Sequence, residues 1–461
     1  YLFQKIMRII PISNYNIIFK LCKILRYLPI LLYPAVSLVI ILGFILSIQY
    51  SLINIPSSIP IIKIGRVLLI TSINIISYFI FSTLLKRKWL ANVFISFIFS
   101  ISLCFLQLIE LGDKHFLANY LIPADRIWLA EMGSLFIYTI AYKLHIMPFI
   151  SPVFGGITCF VILHKSVELE KLNNWQGRPI AFFLFFSFLT SPIIYLFSFD
   201  YIEMTQPSLP FLIYGTITLA SYIKGHRKYF PGALGLIIAC FFHGMNCFLL
   251  PLLFIAPFLK SLEKNNFHHD LLFLWKDVVI LWVILLLIPT LVFLFTSGTG
   301  LTTNLFKFFG YDWSFGNIPG IGGSRFRIVP LFPSIDSTFW IFSKTHFSFF
   351  SNIIFFTFPG IIFFLLHYIK SREKIISDNV INVTAFFSSQ IMGYTCFVLF
   401  VNFDLGFPGD IDIMFGMSII QLPFWISILI MDRKKILYYI YPIWLINIIT
   451  SLFIAINIMP D

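Results

Sequence analysis

The chain has 461 residues, of which 59% are hydrophobic and only 11% charged, and its formal net charge is +12. That balance, with a mean hydropathy of +0.92, excludes an ordinary water-soluble domain. It also removes the usual step from a basic chain to nucleic acid, because short basic loops are what the positive-inside rule asks of a membrane protein.

About thirteen apolar segments cover most of the chain, each near the ~20 residues that a bilayer-crossing helix needs. They begin at 27–49, 68–85, 90–111, 149–164, 179–199 and 208–223. The long run 232–258 divides near Asn246 into two short spans. Segments 278–296, 350–369, 383–403, 413–431 and 437–458 complete the series. The first run is preceded by about 26 residues and has no small-residue cleavage site, so no cleaved signal peptide is expected. The six cysteines are scattered in or beside apolar runs without a CxxC pair, and read as small core residues.

Starting inside, every second loop is basic: the N-terminal residues to Arg26, then Lys86-Arg87-Lys88, Lys165 to Arg178, and Lys224/Arg227/Lys228. Lys260/Lys264/Lys276, Lys370/Arg372/Lys374 and Arg433-Lys434-Lys435 continue the alternation. These loops hold 23 of the 32 Lys and Arg but 8 of the 20 acids. The result is roughly +15 on one side and −3 on the other. The expected architecture is all-α and polytopic, one integral membrane domain over residues 1–461, with the N-terminus cytoplasmic. Two longer outer loops are expected, at about 112–147 and 297–349; the first contains an amphipathic stretch at 128–142 that can lie along the interface.

Ionisable groups near the hydrocarbon boundary are expensive, which makes them the default functional candidates. Five outer stretches carry them. In chain order they are Glu110 to His115 with Asp113, followed by Asp125, Arg126 and Glu131; Asp200 to Glu203; His243 to Asn246; Arg325 and Arg327, with His346 and Asn352 beyond; and Asp404 to Asp412 with Asp410. Each has a plain structural reading beside the chemical one. Asp113 can cap a helix after Gly112, Asp200 and Glu203 can solvate a turn, and His243 can be a hydrogen-bonded core residue. The two arginines can pair with outer acids or headgroups. Asp410 and Asp412 have the spacing of a DxD metal motif, yet turns are rich in Asp, so the metal stays open.

Taken together, the set suits group transfer from a lipid-linked anionic donor. A carboxylate within reach of an acceptor hydroxyl or amide serves as general base. Two neighbouring guanidiniums bind a phosphate leaving group and stabilise its developing charge.

Several short strings in this order resemble the GT-C superfamily of polyprenol-dependent membrane glycosyltransferases. They are Gly112-Asp113, Leu129 to Gly133, Phe199 to Glu203, Phe242-His243-Gly244, Pro330-Leu331 with Phe342, His346 and Asn352, and Asn402 to Asp412. They are similar to a group of poorly characterised bacterial members and span roughly residues 110–431. The resemblance implies a catalytic carboxylate in the first outer loop, which falls on Asp113; the chemistry of two close arginines assigns Arg325 and Arg327 to the donor phosphate. Glu131, Asp200, Glu203, His243, His346, Asp404, Asp410 and Asp412 are then substrate or support groups. Two departures stand out: Asp113 follows the third apolar segment, not the first, and Gly409 and Ile411 replace an Arg and a Trp in the last string.

The implied activity is sugar transfer from a polyprenyl-phosphate donor to a glycan, lipid or protein acceptor outside the cytoplasm, in the bacterial inner membrane. The implied partners are membrane lipids and that donor, with no nucleic acid and no certain cofactor. Three other readings compete. A lipid-linked oligosaccharide polymerase or ligase places more weight on the late outer loop. A transporter or flippase needs polar groups through the membrane depth. A non-catalytic subunit of a membrane complex would be indifferent to Asp113 and Arg325.

Overall fold

The computed structural model describes residues 61–104, 132–172, 179–191, 205–264, 326–328, 342–344, 346–347, 350–351, 378–403, 445 and 447–449. Their elements are α1 (Ile61–Leu84), α2 (Lys88–Cys104), α3 (Met132–Lys143), α4 (Met147–Leu172) and α5 (Pro179–Thr190). A 3-10 turn, Gln206–Ser208, leads into α6 (Leu209–Ile223), followed by α7 (Tyr229–Phe242), a second 3-10 turn (Gly244–Leu249) and α8 (Leu252–Lys264). Further along come β1 (Phe326–Ile328), α9 (Asp378–Phe400) and β2 (Val401–Phe403). The described part is thus helical, apart from one antiparallel two-stranded ribbon formed by β1 and β2.

Many hydroxyls in these helices are satisfied by their own helix. Ser72, Ser77 and Thr83 donate their hydroxyl protons to the carbonyls of Leu68, Ile73 and Phe79, one turn back. Thr158, Thr190, Ser389 and Thr395 do the same in α4, α5 and α9. That habit lets a hydroxyl sit in apolar surroundings without an external partner. Two helix ends close with a residue in the left-handed region. After α6, Gly225 has φ 78° and the His226 N–H reaches back to the Ser221 carbonyl at 2.9 Å. After α3, His145 has φ 57° and the Ile146 N–H reaches the Ala141 carbonyl at 2.9 Å. Both bonds have the wrap-around form of a Schellman cap.

Cross-helix contacts fix the directions. In the α1–α2 hairpin, Asn74 Nδ2 donates to Ser102 Oγ at 2.8 Å and the Phe81 and Phe94 rings stack. Along α2 and α4, Ser100 Oγ donates to the Pro152 carbonyl at 2.8 Å, so these two helices are antiparallel. By contrast α4 and α6 run parallel, because Ser151 bonds Gln206 near their starts and Lys165 bonds Thr218 near their ends. The tightest pair is α6 with α7. A Cβ on Gly215 would stand 2.6 Å from the Leu236 nitrogen and 2.9 Å from the Gly232 carbonyl. Small residues therefore bring these two backbones into contact, and α6 is buried along nearly its whole length.

Two poles result. At one, the Glu168 carboxylate accepts from Lys165 Nζ at 2.9 Å and from Arg227 at 2.7 Å. Ser221 donates to its other oxygen, and Lys165 also lies over the Tyr214 ring. Lys260 covers the Tyr222 ring at the same pole. The basic turns at residues 85–87 and 224–228 join their helices there.

The outward surface of α1, α2 and the start of α4 is apolar, where a soluble protein would be polar. Leu69 is 60% exposed, Leu84 72% and Phe97 59%, and Phe149, Val153 and Ile157 continue the face. Among the described residues one helix, Met147–Glu170, is long and apolar enough to cross a membrane; the other apolar helices run 10–17 residues. Helices stand where apolar segments were expected at 68–85, 149–164 and 208–223, and in the described parts of 90–111 and 179–199; the segment expected at 383–403 is helical to Phe400 and ends in β2. The run 232–258 is broken by the second 3-10 turn, which holds Asn246. Segments 27–49, 278–296 and 413–431 lie outside the described residues, and 350–369 and 437–458 do so almost wholly.

Candidate functional site

The other pole gathers the starts of α3, α4 and α6 with the ends of α2, α7 and α9. Helix α3 lies across it. Ser134 Oγ donates to the Phe242 carbonyl at 2.8 Å, and Gly133 packs so closely that an added Cβ would stand 2.7 Å from the Phe241 and Phe242 rings. One turn later, Tyr138 Oη donates to Gln206 Oε1 at 3.0 Å, and Ser151 Oγ donates to the same oxygen at 2.7 Å. Two successive turns of α3 thus meet the same end of the bundle. Gln206 is fully buried, and its carbonyl ties α3, α4 and the approach to α6 together.

The end of α7 is opened by a sharp change of backbone. His243 takes φ −149° and ψ 117°, extended where the preceding residues are helical, while its N–H still bonds the Ala239 carbonyl. Asn246 then stands in for the missing turn. Its Nδ2 donates to the Ala239 carbonyl at 3.0 Å, and its Oδ1 accepts from Tyr394 Oη at 2.7 Å. Through that bond α9 is fixed against the break. Gly393, beside Tyr394, allows the approach: a Cβ there would lie 3.2 Å from the Phe248 carbonyl.

Helix α9 continues without interruption into β2, whose partner is β1. The register sets Arg327 opposite Asn402, Phe326 opposite Phe403 and Ile328 opposite Val401. Two segments far apart in sequence, Phe326–Ile328 with Arg327 and Val401–Phe403, which precedes Asp404 in the chain, are therefore hydrogen-bonded neighbours.

Of the residues singled out from sequence, His243 and His346 are described with their side chains, and both are buried. The His346 N–H donates to Ser343 Oγ at 3.2 Å. Arg327 is placed through the backbone of β1. Asp113, Glu131, Asp200, Glu203, Arg325, Asp404, Asp410 and Asp412 lie outside the described residues. Four of them adjoin described segments in the chain: Glu131 precedes Met132, Glu203 stands two before Thr205, Arg325 precedes Phe326, and Asp404 follows Phe403. Among the described residues no group of three His, Cys, Asp or Glu is placed to hold a metal ion.

Sequence reasoning marked Asn246 as a point of division and as the end of a candidate stretch, and passed over Gln206 and Tyr394. Both had a signal: Gln206 precedes Pro207 at a helix start, and Tyr394 follows a glycine inside an apolar run. Compared with protein-family models, with curated proteins and with solved structures, the chain matches none.

Proposed function

We propose that the chain is an integral membrane glycosyltransferase of GT-C type. It has about thirteen spans, a cytoplasmic N-terminus, and its working face outside the cytoplasm of a bacterial inner membrane. It transfers a sugar from a polyprenyl-phosphate-linked donor to an extracytoplasmic acceptor. Asp113 is the general base, and Arg325 and Arg327 hold the donor phosphate. Glu131, Asp200, Glu203, His243, His346, Asp404, Asp410 and Asp412 shape the acceptor side. The carrying observation is the β1–β2 ribbon. It joins the strand that contains Arg327 to the one that leads into Asp404, and that second strand follows α9, which is bonded to the helix break through Tyr394 and Asn246.

Three features support the membrane part of this reading: the apolar outward face, the hydroxyls bonded to their own helices, and the basic turns at the opposite pole. Arginines that hold the donor phosphate away from water would stabilise its developing charge far more than they could in water. The test uses purified protein in nanodiscs with a panel of polyprenyl-phosphate-linked hexoses and pentoses. Asp113→Asn is expected to reduce turnover of the accepted donor by at least ~100-fold, the usual weight of a general base. Undiminished turnover in a well-folded Asp113→Asn protein would remove the mechanism.

A further inference from the structure

Helix α9 carries a buried polar side chain that its neighbours do not serve. Gln390 is fully buried, and among the described residues neither its Nε2 nor its Oε1 has a hydrogen-bond partner. Thr384 and Ser388 on the same helix are also buried with unbonded hydroxyls. A hydroxyl has a local remedy, because a rotation brings it onto a carbonyl of its own helix, as Ser389 and Thr395 show. An amide has none for its oxygen, since the N–H groups of a helix interior are already engaged. Burying that amide unserved is costly.

The surroundings of Gln390 say what serves it. Gly393 and Tyr394 follow it by three and four residues and so share its face of α9. That face meets the broken segment between α7 and α8. Tyr394 bonds Asn246 there, the Phe397 ring meets the Phe248 ring edge-on, and Gly393 packs towards the Phe248 carbonyl. Pro251, three residues after Phe248, has no N–H with which to continue the 3-10 turn onto that carbonyl. The fold contains a comparison. Pro257 likewise cannot donate to the Leu253 carbonyl, and the Tyr229 hydroxyl takes that one at 2.6 Å.

We infer that ordered internal water binds between Gln390 and the broken segment. A water that accepts from Nε2 can donate to the Phe248 carbonyl, and a neighbour can donate to Oε1. The site is neutral and offers both donors and an acceptor, which suits water. It lies one turn before the Tyr394–Asn246 bond on α9. It rests on the packing of α9 and not on the transferase reading.

Radiolytic footprinting of the full-length protein in detergent, read by mass spectrometry, tests the site. An X-ray pulse turns bound water into hydroxyl radicals that oxidise the side chains beside it, including buried ones. Phe386 and Phe387 stand one turn before Gln390 and are fully buried, as are Phe185 and Phe188 in α5, which serve as the reference. In the wild type Phe386 and Phe387 are expected to oxidise several-fold faster than the reference pair. Gln390→Leu should remove the difference and leave Phe185 and Phe188 unchanged. Equal, slow oxidation of all four phenylalanines in the wild type overturns the inference without recourse to any mutant, because the amide is then dry. Fast oxidation that persists in a folded Gln390→Leu protein overturns it too, because that water is not held by Gln390.

Discussion

At the scale of single residues, the most heavily committed side chain described is Glu168. Three donors converge on it: Lys165 from its own helix, Ser221 from α6 and Arg227 from the turn between α6 and α7. Lys165 is 3% exposed, whereas the Arg227 side chain is 52% exposed. Removing the carboxylate's charge leaves a buried ammonium among neutral groups: an amide oxygen, the Thr218 hydroxyl and the Tyr214 ring. Glu168→Gln is therefore expected to cost about 3 kcal/mol, as breaking a buried pair does. Arg227→Gln removes a half-solvated partner and is expected to cost less than about 1 kcal/mol. Thermal unfolding in detergent separates the two, and equal losses would show that the network does not anchor the pole. Sequence reading saw Lys165 only as a topogenic charge. Its i,i+3 relation to Glu168 was visible, but the decisive partner, Thr218, comes from a helix 53 positions away, and nothing in a linear pattern announces that.

At the scale of elements, the α6–α7 pair depends on glycine at the contact. Gly215→Ala would press a methyl group against the backbone of Leu236 and Gly232, neither of which can rotate away. The helices must separate, at about 2 kcal/mol, the cost of overpacking a close interface. Gly65→Ala is the control: a Cβ there meets nothing within 4 Å, and the exchange should gain up to about 1 kcal/mol of helix propensity. Opposite signs in the melting temperatures of the two variants are the expected outcome. At this scale the sequence was most informative. Apolar runs bounded by basic clusters put α1, α4, α6 and α9 near their places, and Asn246 marked the division between α7 and α8. The reason is physical: a helix with an apolar exterior must satisfy its backbone within itself, so its extent is written locally. The β1–β2 ribbon was not legible. Three-residue strands have no periodicity to read, and their partners lie far apart in the chain.

For the whole molecule, the separation of two poles gives a direct topological expectation. Single cysteines in a background without the native six, placed at Arg87 or His226 in the basic turns, should react only with reagent supplied from the cytoplasmic side. A cysteine at His145, in the exposed turn before α4, should react only from outside. Labelling of all three from one side would sink the proposed arrangement. The candidate site is legible to a lesser degree than the fold. His243 and Asn246 could be found as polar residues interrupting an apolar run, but their link to Tyr394 is a product of packing.

The ribbon also fixes an order of events during synthesis. Strand β1 leaves the ribosome long before β2, and the chain between them includes α9, which leads directly into β2. No backbone bond of the ribbon can form until α9 and the strand after it have been synthesised. Closing so long a connection is slow compared with making a helical hairpin. A nascent chain halted before Val401 would therefore hold the hairpins of α1–α2 and α6–α7 but lack the ribbon. The protein thus builds its scaffold first and acquires its proposed donor-binding face only near the end of translation.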